Sequence, residues 1–181
     1  MSIRKIVLFG DARLTAPNAP MKAFGPGTSR LLDDMKTTCW TLPGLGLAAP
    51  QIGLNLRLAL VDLSVGKDPD AVYVLANPEI VAREGSTILE EGCLSFPGLF
   101  TRIRRPHAIT VRAQDEHGVW RTLEAEGELA QAFCHEIDHL NGILLIDHLE
   151  GLARRLFLAR VQIARLRWRR LPADRYERLP H

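Results

Sequence analysis

The stretch Phe133 to Gly142, FCHEIDHLNG, sets two imidazoles four residues apart with a carboxylate directly after the first. On a helix, positions i and i+4 share one face a turn apart, so His135 and His139 can converge on one ion. Glu136 is rotated about 100° from His135 and would stand beside that ion, within reach of a bound water. Two imidazoles, an open coordination position and a base are the parts of a metal-dependent hydrolase. The competing reading is a solvated pair on an exposed helix face, and the flanking apolar Ile137 and Leu140 weigh against it.

Such a site needs a third protein ligand. His148, Glu150 and His181 lie downstream, none within a second matching motif. Upstream, Glu90 to Gly98 reads EEGCLSFPG, with Cys93 between Gly92 and Leu94. Glycine and proline there imply an irregular, tightly placed backbone, and a thiolate binds a borderline-soft ion strongly. A third segment, Gly44 to Gly53 (GLGLAAPQIG), packs small residues around Gln51. The Gln51 amide could donate a hydrogen bond, and backbone beside glycine can approach a substrate closely. Taken alone, that segment reads only as a tight turn.

Together the three segments resemble the motif set of the peptide deformylase family: GΦGΦAAPQ (Φ apolar), EGCLS, and HExDHL followed by glycine. The opening IRKIVLFGDARL resembles the family's start, so the likeness covers roughly residues 3 to 150. The resemblance implies removal of the formyl group from N-formylmethionine at the start of nascent polypeptides. It implies Cys93, His135 and His139 as metal ligands, water in the fourth position, and Glu136 handling that water's proton. The Gln51 amide and the Leu94 backbone N–H would bind the formyl oxygen, and backbone groups of Leu45, Gly46 and Gly92 would hold the peptide extended. The resemblance favours iron(II) as the physiological ion, with zinc, nickel or cobalt also accommodated in isolated protein. An apolar pocket would hold the methionine side chain, with Phe133 and Leu129 as candidate lining or supporting residues.

Some positions need their own reading. Cys134 stands where many family members have glutamine; on a helix it points away from His135, as a packed thiol. Cys39 ends an amphipathic stretch and reads as core. Asp138 either orients a ligand, pairs with an arginine such as Arg105, or is a solvated acid. Two alternatives to the deformylase reading are a general metallopeptidase and a structural metal module closed by Cys39 or Cys134.

The elements that must position these residues follow from periodicity and breakers. A helix is predicted from about Thr28 to Leu42, capped by Thr28 or Ser29 and stopped at Pro43–Gly44. Arg57–Leu63 reads as a buried strand, and residues 71–84 as two short strands parted by Asn77–Pro78. AITVRAQ and VWRTLEAE flank DEHG as a hairpin. A helix follows from about Glu128 to Leu140, ended by Asn141–Gly142, and a longer helical pattern runs from about His148 to Leu171. Strands grouped between helices predict an α+β fold, mixed or antiparallel strands around a central metal-binding helix, with a C-terminal helix. A chain of 181 residues suits one unit, with residues 1–150 as the catalytic domain and 151–181 as a basic helix and tail belonging to it.

Three cysteines make a poor disulfide framework, Asp11 and Arg13 interrupt the only apolar run near the N-terminus, and no run approaches the ~20 residues of a membrane span. The expectation is a cytoplasmic protein with no membrane association. Charge is uneven: residues 151–181 hold nine arginines against two acids, although the whole chain carries only +2. Seven arginines fall between Arg154 and Arg170, interleaved with apolar residues spread widely around the helix. That pattern fits a solvated basic face partly packed on the body, or contact with polyanions, ribosomal RNA first among them, without sequence-specific nucleic-acid recognition. Membrane-surface binding is a third reading. LPADRYERLPH reads as a loose tail.

Overall fold

The computed structural model describes residues 2–42 and 44–168. Pro43, the end of the C-terminal helical pattern and the LPADRYERLPH segment lie outside them. Within that range, Pro26–Thr41 forms α1, followed by strands β1 (Gly46–Ala48), β2 (Leu58–Val61), β3 (Tyr73–Glu84), β4 (Thr87–Gly92), β5 (Phe100–Arg105), β6 (Ala108–Gln114) and β7 (Trp120–Glu126). Helices α2 (Gly127–Leu140) and α3 (Gly151–Trp168) complete the order. The predicted α+β architecture is the one observed. Five strands form an antiparallel sheet in the order β1-β2-β3-β6-β7, and β4 pairs with β5 as a separate ribbon.

The sheet takes its packing from period-two alternation. Along β2, Leu58 and Leu60 face α1, joining Leu32, Met35 and Cys39. Ala59 and Val61 face α2, joining Phe133, Cys134, Ile137 and Leu140. Every residue of this strand is therefore buried. The α2 residues recur three and four apart, so one helical stripe covers the sheet while the remaining faces stay available for chemistry.

Three expectations are corrected. Helix α1 begins at Pro26, a favoured first helical residue, rather than at a Thr28 or Ser29 cap. Both hydroxyls instead donate back to carbonyls, Thr28 to Ala23 at 3.1 Å and Ser29 to Gly25 at 3.3 Å. Residues 73–84 form one strand, not two. Asn77 sits at φ 50° inside it, with a register shift between Ala76 and Glu79. Its side chain accepts from the Met21 N–H at 2.8 Å and donates to the Met21 carbonyl at 2.9 Å, so the turn signal is absorbed as a bulge held from outside the ladder. The C-terminal helix starts at Gly151, after a short 3-10 turn at Leu145–His148.

Two elements were not foreseen: β1, read as a turn, and the β4–β5 ribbon. The buried face of that ribbon carries Glu91 and Arg105 beside Ile103, so charge disguises the alternation that would have revealed the strands.

Helix α3 packs Phe157, Val161 and Trp168 onto Val7, Leu14, Phe96 and Leu145. Leu152, Leu156, Ile163 and Leu166 face solvent, each more than half exposed. No described helix is long and apolar enough to cross a membrane.

Candidate active site

The three motif segments meet around one pocket of about 340 Å³. Cys93 directly follows β4, Gln51 lies in a tight turn just past β1, and α2 supplies His135, Glu136 and His139. One ligand atom from each of Cys93, His135 and His139 lies within 4.8 Å of the others. His139 Nε2 is 3.2 Å from Cys93 Sγ. Of the residues expected at the site, Leu45, Gly46, Gln51, Gly92, Cys93, Leu94, His135 and Glu136 all line the pocket; His139 is buried behind them.

Orientation of His135 comes from a chain of charges. Glu91 Oε2 lies 3.0 Å from His135 Nδ1. Arg105 grips Glu91 with two donors, Nε at 2.7 Å and Nη2 at 2.9 Å, and reaches Asp138 with Nη1 at 2.6 Å. Burial works against the Glu91 charge, but the hydrogen bonds from Arg105 and His135 outweigh it and hold the carboxyl at about 2. An ionised Glu91 accepts the Nδ1 proton, which leaves Nε2 of His135 free to coordinate. Asp138 is thus an arginine partner, the second of the three readings, and its Oδ2 also holds His148 at 2.7 Å.

The two imidazoles differ. Burial and the neighbouring His135 and Arg105 charges keep His139 well below the usual histidine range, so it is neutral, as ligation requires. For His135 burial is outweighed by hydrogen bonds to Cys93 and Glu91, which hold its pKa well above the ordinary value. An arriving ion therefore displaces a proton there.

Glu136 is 3% exposed, and its Oε2 is buried with no hydrogen-bond partner among the described residues. Burial raises its pKa to about 7 against the lowering pull of His135. A partnerless carboxylate near neutrality in a pocket can take up and release a proton at ordinary pH. It packs on the β1 backbone so closely that a Cβ on Gly46 would fall 2.5 Å from Oε1. Glycine is a requirement of the site at that position. Gln51 is fixed likewise: its Oε1 accepts from the Ala48 N–H at 2.8 Å, which turns Nε2 toward Cys93 Sγ at 3.5 Å.

One thiolate and two imidazoles, with His135 held by Glu91 from behind, fit a single borderline divalent ion such as zinc, iron(II), nickel or cobalt. Cys39 and Cys134 do not join them. Both are buried in the core, and burial pushes the Cys134 thiol up to about 11. A structural module closed by a fourth protein ligand from either is thus not what the chain builds. In native, metal-free protein, iodoacetamide should modify Cys93 alone, and zinc should protect it; peptide mass mapping checks both.

Phe133 and Leu129 take the supporting role, not the lining one. Phe133 is fully buried against the sheet and Leu129 packs on the same cluster. The α2 wall of the pocket is Glu128, Gln131 and Ala132. These lie seven, four and three residues before His135, so helical spacing alone could have found them. The opposite wall, Phe96 to Phe100, and the Glu91–Arg105 pair had no such signal.

A family model for polypeptide deformylase matches residues 3–155. The chain belongs to the peptide deformylase family. A peptide deformylase of Acidobacterium capsulatum is 44% identical over 162 residues, covering 90% of this chain and 95% of that protein. Peptide deformylase 2 of Xanthomonas campestris pv. campestris is 41% identical over 170 residues, with 92% and 98% covered. Among solved structures, the Legionella pneumophila deformylase superposes with a TM-score of 0.88 at 38% identity, covering 94% of this chain and all of that one. The Thermus thermophilus enzyme gives 0.84 at 43% identity, covering 93% and 98%. This deformylase is a hydrolase that removes the N-formyl group from nascent peptides, and its Cys/His cluster offers a metal site.

Proposed function

We propose that this deformylase holds its ion on Cys93, His135 and His139 and uses Glu136 to move the proton that hydrolysis requires. The observation that carries the reading is the buried, partnerless Glu136 carboxylate beside the ligand triad in the pocket. When bound, a divalent ion supplies Lewis acidity and brings the pKa of a water toward ~7. Glu136 takes that water's proton on its carboxylate and delivers it to the peptide nitrogen as the C–N bond of the formamide breaks, releasing formate and a free amine. Charge develops meanwhile on the formyl oxygen. Gln51 Nε2 and the Leu94 N–H are the donors assigned to it, each of a kind worth about 3–4 kcal/mol at the transition state.

The peptide itself is read as an added strand. β1 ends the five-stranded sheet and β4 has one partner, so each offers an unpaired edge among the described residues. The Leu45 carbonyl accepts from Asp62 N–H at 2.8 Å. Peptide groups alternate in direction along a strand, which turns those of Gly46 to the open edge. Gly46 and Gly92 are therefore assigned the main-chain pairing, and Leu45 a side-chain contact at the rim.

Iron(II) is the ion assigned in the cell, the cytoplasm the compartment, and the ribosome the partner of α3. Supporting the last, Arg155, Arg160 and Arg167 are exposed on that helix, and no carboxylate pairs with them among the described residues. Phosphate contacts of this type weaken with salt. In a sedimentation assay at low salt, Arg155→Gln/Arg167→Gln protein should lose ribosome binding; unchanged binding would remove α3 from that role.

The deciding assay is anaerobic turnover of formyl-Met-Ala-Ser and acetyl-Met-Ala-Ser by iron(II)- and zinc-loaded protein. The formyl peptide alone should be hydrolysed. Equal cleavage of both, or release of free amino acids, would favour a general metallopeptidase.

A further inference from the structure

We propose that Arg160 and Trp168 of α3 are positioning residues for the active-site wall Phe96–Phe100, so that the helix beyond the catalytic motifs completes the substrate pocket. Both residues lie past residue 155, where the family match ends. The proposal rests on the deformylase reading only for its kinetic test.

The wall is a short irregular segment. It begins at Phe96, which is fully buried and stacked 4.8 Å from Phe9, with Phe157 of α3 at 5.7 Å. It ends at Phe100, whose ring covers Gly92: a Cβ there would lie 2.5 Å from the ring edge. Between these ends, Pro97, Gly98 and Leu99 line the active-site pocket on one side. They also line an open cleft of about 330 Å³ on the other, shared with Ile163, Ala164 and Trp168 of α3. Gly98 has φ 72°, and a Cβ built on it meets nothing within 4 Å.

Phe96 and Leu99 are packed into the core, but Pro97 and Gly98 between them have open space on both faces, and dispersion contacts vanish where there are no partner atoms. The chain itself ties both ends: Phe96 N–H donates to the Cys93 carbonyl at 2.8 Å, Leu99 N–H to the Phe96 carbonyl at 3.0 Å, and Phe100 pairs with Gly92 in the β4–β5 ladder. Two further bonds come from α3: Trp168 Nε1 donates to the Pro97 carbonyl at 3.2 Å, and Arg160 Nη1 to the Phe100 carbonyl at 3.1 Å. Without the two α3 donors the Pro97–Gly98 turn can relax into the cleft, and that side of the substrate pocket loses its fixed outline. Neither side chain lines the catalytic pocket, and Cys93 is hydrogen bonded to the wall only through the Phe96 N–H, a bond that uses neither α3 donor. The effect should fall on substrate binding, not on the chemical step or the metal.

The test uses full-length, metal-loaded protein carrying Arg160→Ala, Trp168→Phe, both together, and Arg160→Lys. Trp168→Phe keeps a buried ring and deletes the donor. For formyl-Met-Ala-Ser the double variant should show KM raised about fivefold to tenfold with kcat within about twofold of wild type and metal content unchanged. Arg160→Lys, which retains a donor, should restore most of the KM. Amide hydrogen exchange across residues 96–100 should be faster in the double variant; that readout needs no turnover. Should the double variant fail to fold, Trp168→Phe alone is read by the same two measures. Wild-type KM and exchange, or a fall in kcat at constant KM, would overturn the proposal. An inactive wild type would instead sink the deformylase reading and leave the exchange data to decide the wall.

Discussion

Replacing Glu136 with alanine is expected to lower kcat by about 10²–10⁴-fold while the protein keeps its ion and its fold. Two observations set this expectation apart from that for an ordinary core substitution. The Glu136 Oε2 has no partner to lose, so the stability change is limited to the space its methylenes vacate, about 2 kcal/mol or less. The proposed ligands are Cys93, His135 and His139, none of them altered, so metal content should stay near one ion per chain. The measurement is kcat and KM on formyl-Met-Ala-Ser beside elemental analysis of the same sample. Glu136→Gln should be equally inactive, since it matches the shape and cannot carry the proton. Substantial activity in either variant, with the ion in place, would remove Glu136 as the proton carrier.

The second large effect is expected at Glu91, and on stability. The side chains of Arg105 and Glu91 are only 5% and 3% exposed and doubly hydrogen bonded to each other. Removing one partner leaves the other charge in a medium that cannot solvate it, a loss of about 3–5 kcal/mol. Asp138 remains for Arg105, but its single oxygen cannot replace a bidentate pair. Glu91→Ala should therefore unfold metal-free protein at much lower denaturant. His135 also loses the acceptor that fixes its tautomer, and metal affinity should weaken about 10–100-fold in chelator competition. His148→Ala is the control, because His148 sits at the more exposed end of the same chain and should cost less than about 1 kcal/mol. If the two variants proved equally stable, the buried pair would not be what holds His135.

Local pattern was enough for much of the molecule. The i,i+4 histidines on α2, the β6–β7 hairpin around DEHG and the Asn141–Gly142 stop are each set by interactions within a few residues, and each is where expected. The ligand triad was named through a resemblance of motifs, and the fold brings its three atoms together. The misread positions share a cause. Asn77 at φ 50° looks like a chain reversal until Met21, 56 residues away, supplies its hydrogen bonds. Glu91 and Arg105 carry no local sign of burial, which follows only from each solvating the other.

The sequence by itself set the imidazole pair on one helix face, because i,i+4 spacing depends only on short-range geometry, while Cys93 joined it through the resemblance of motifs. Tertiary structure alone decided how those groups are tuned. The near-neutral Glu136, the oriented His135 and the wall held by α3 arise from burial and from partners distant in sequence. Desolvation and long-range hydrogen bonds are properties of the assembled fold, and no local window contains them.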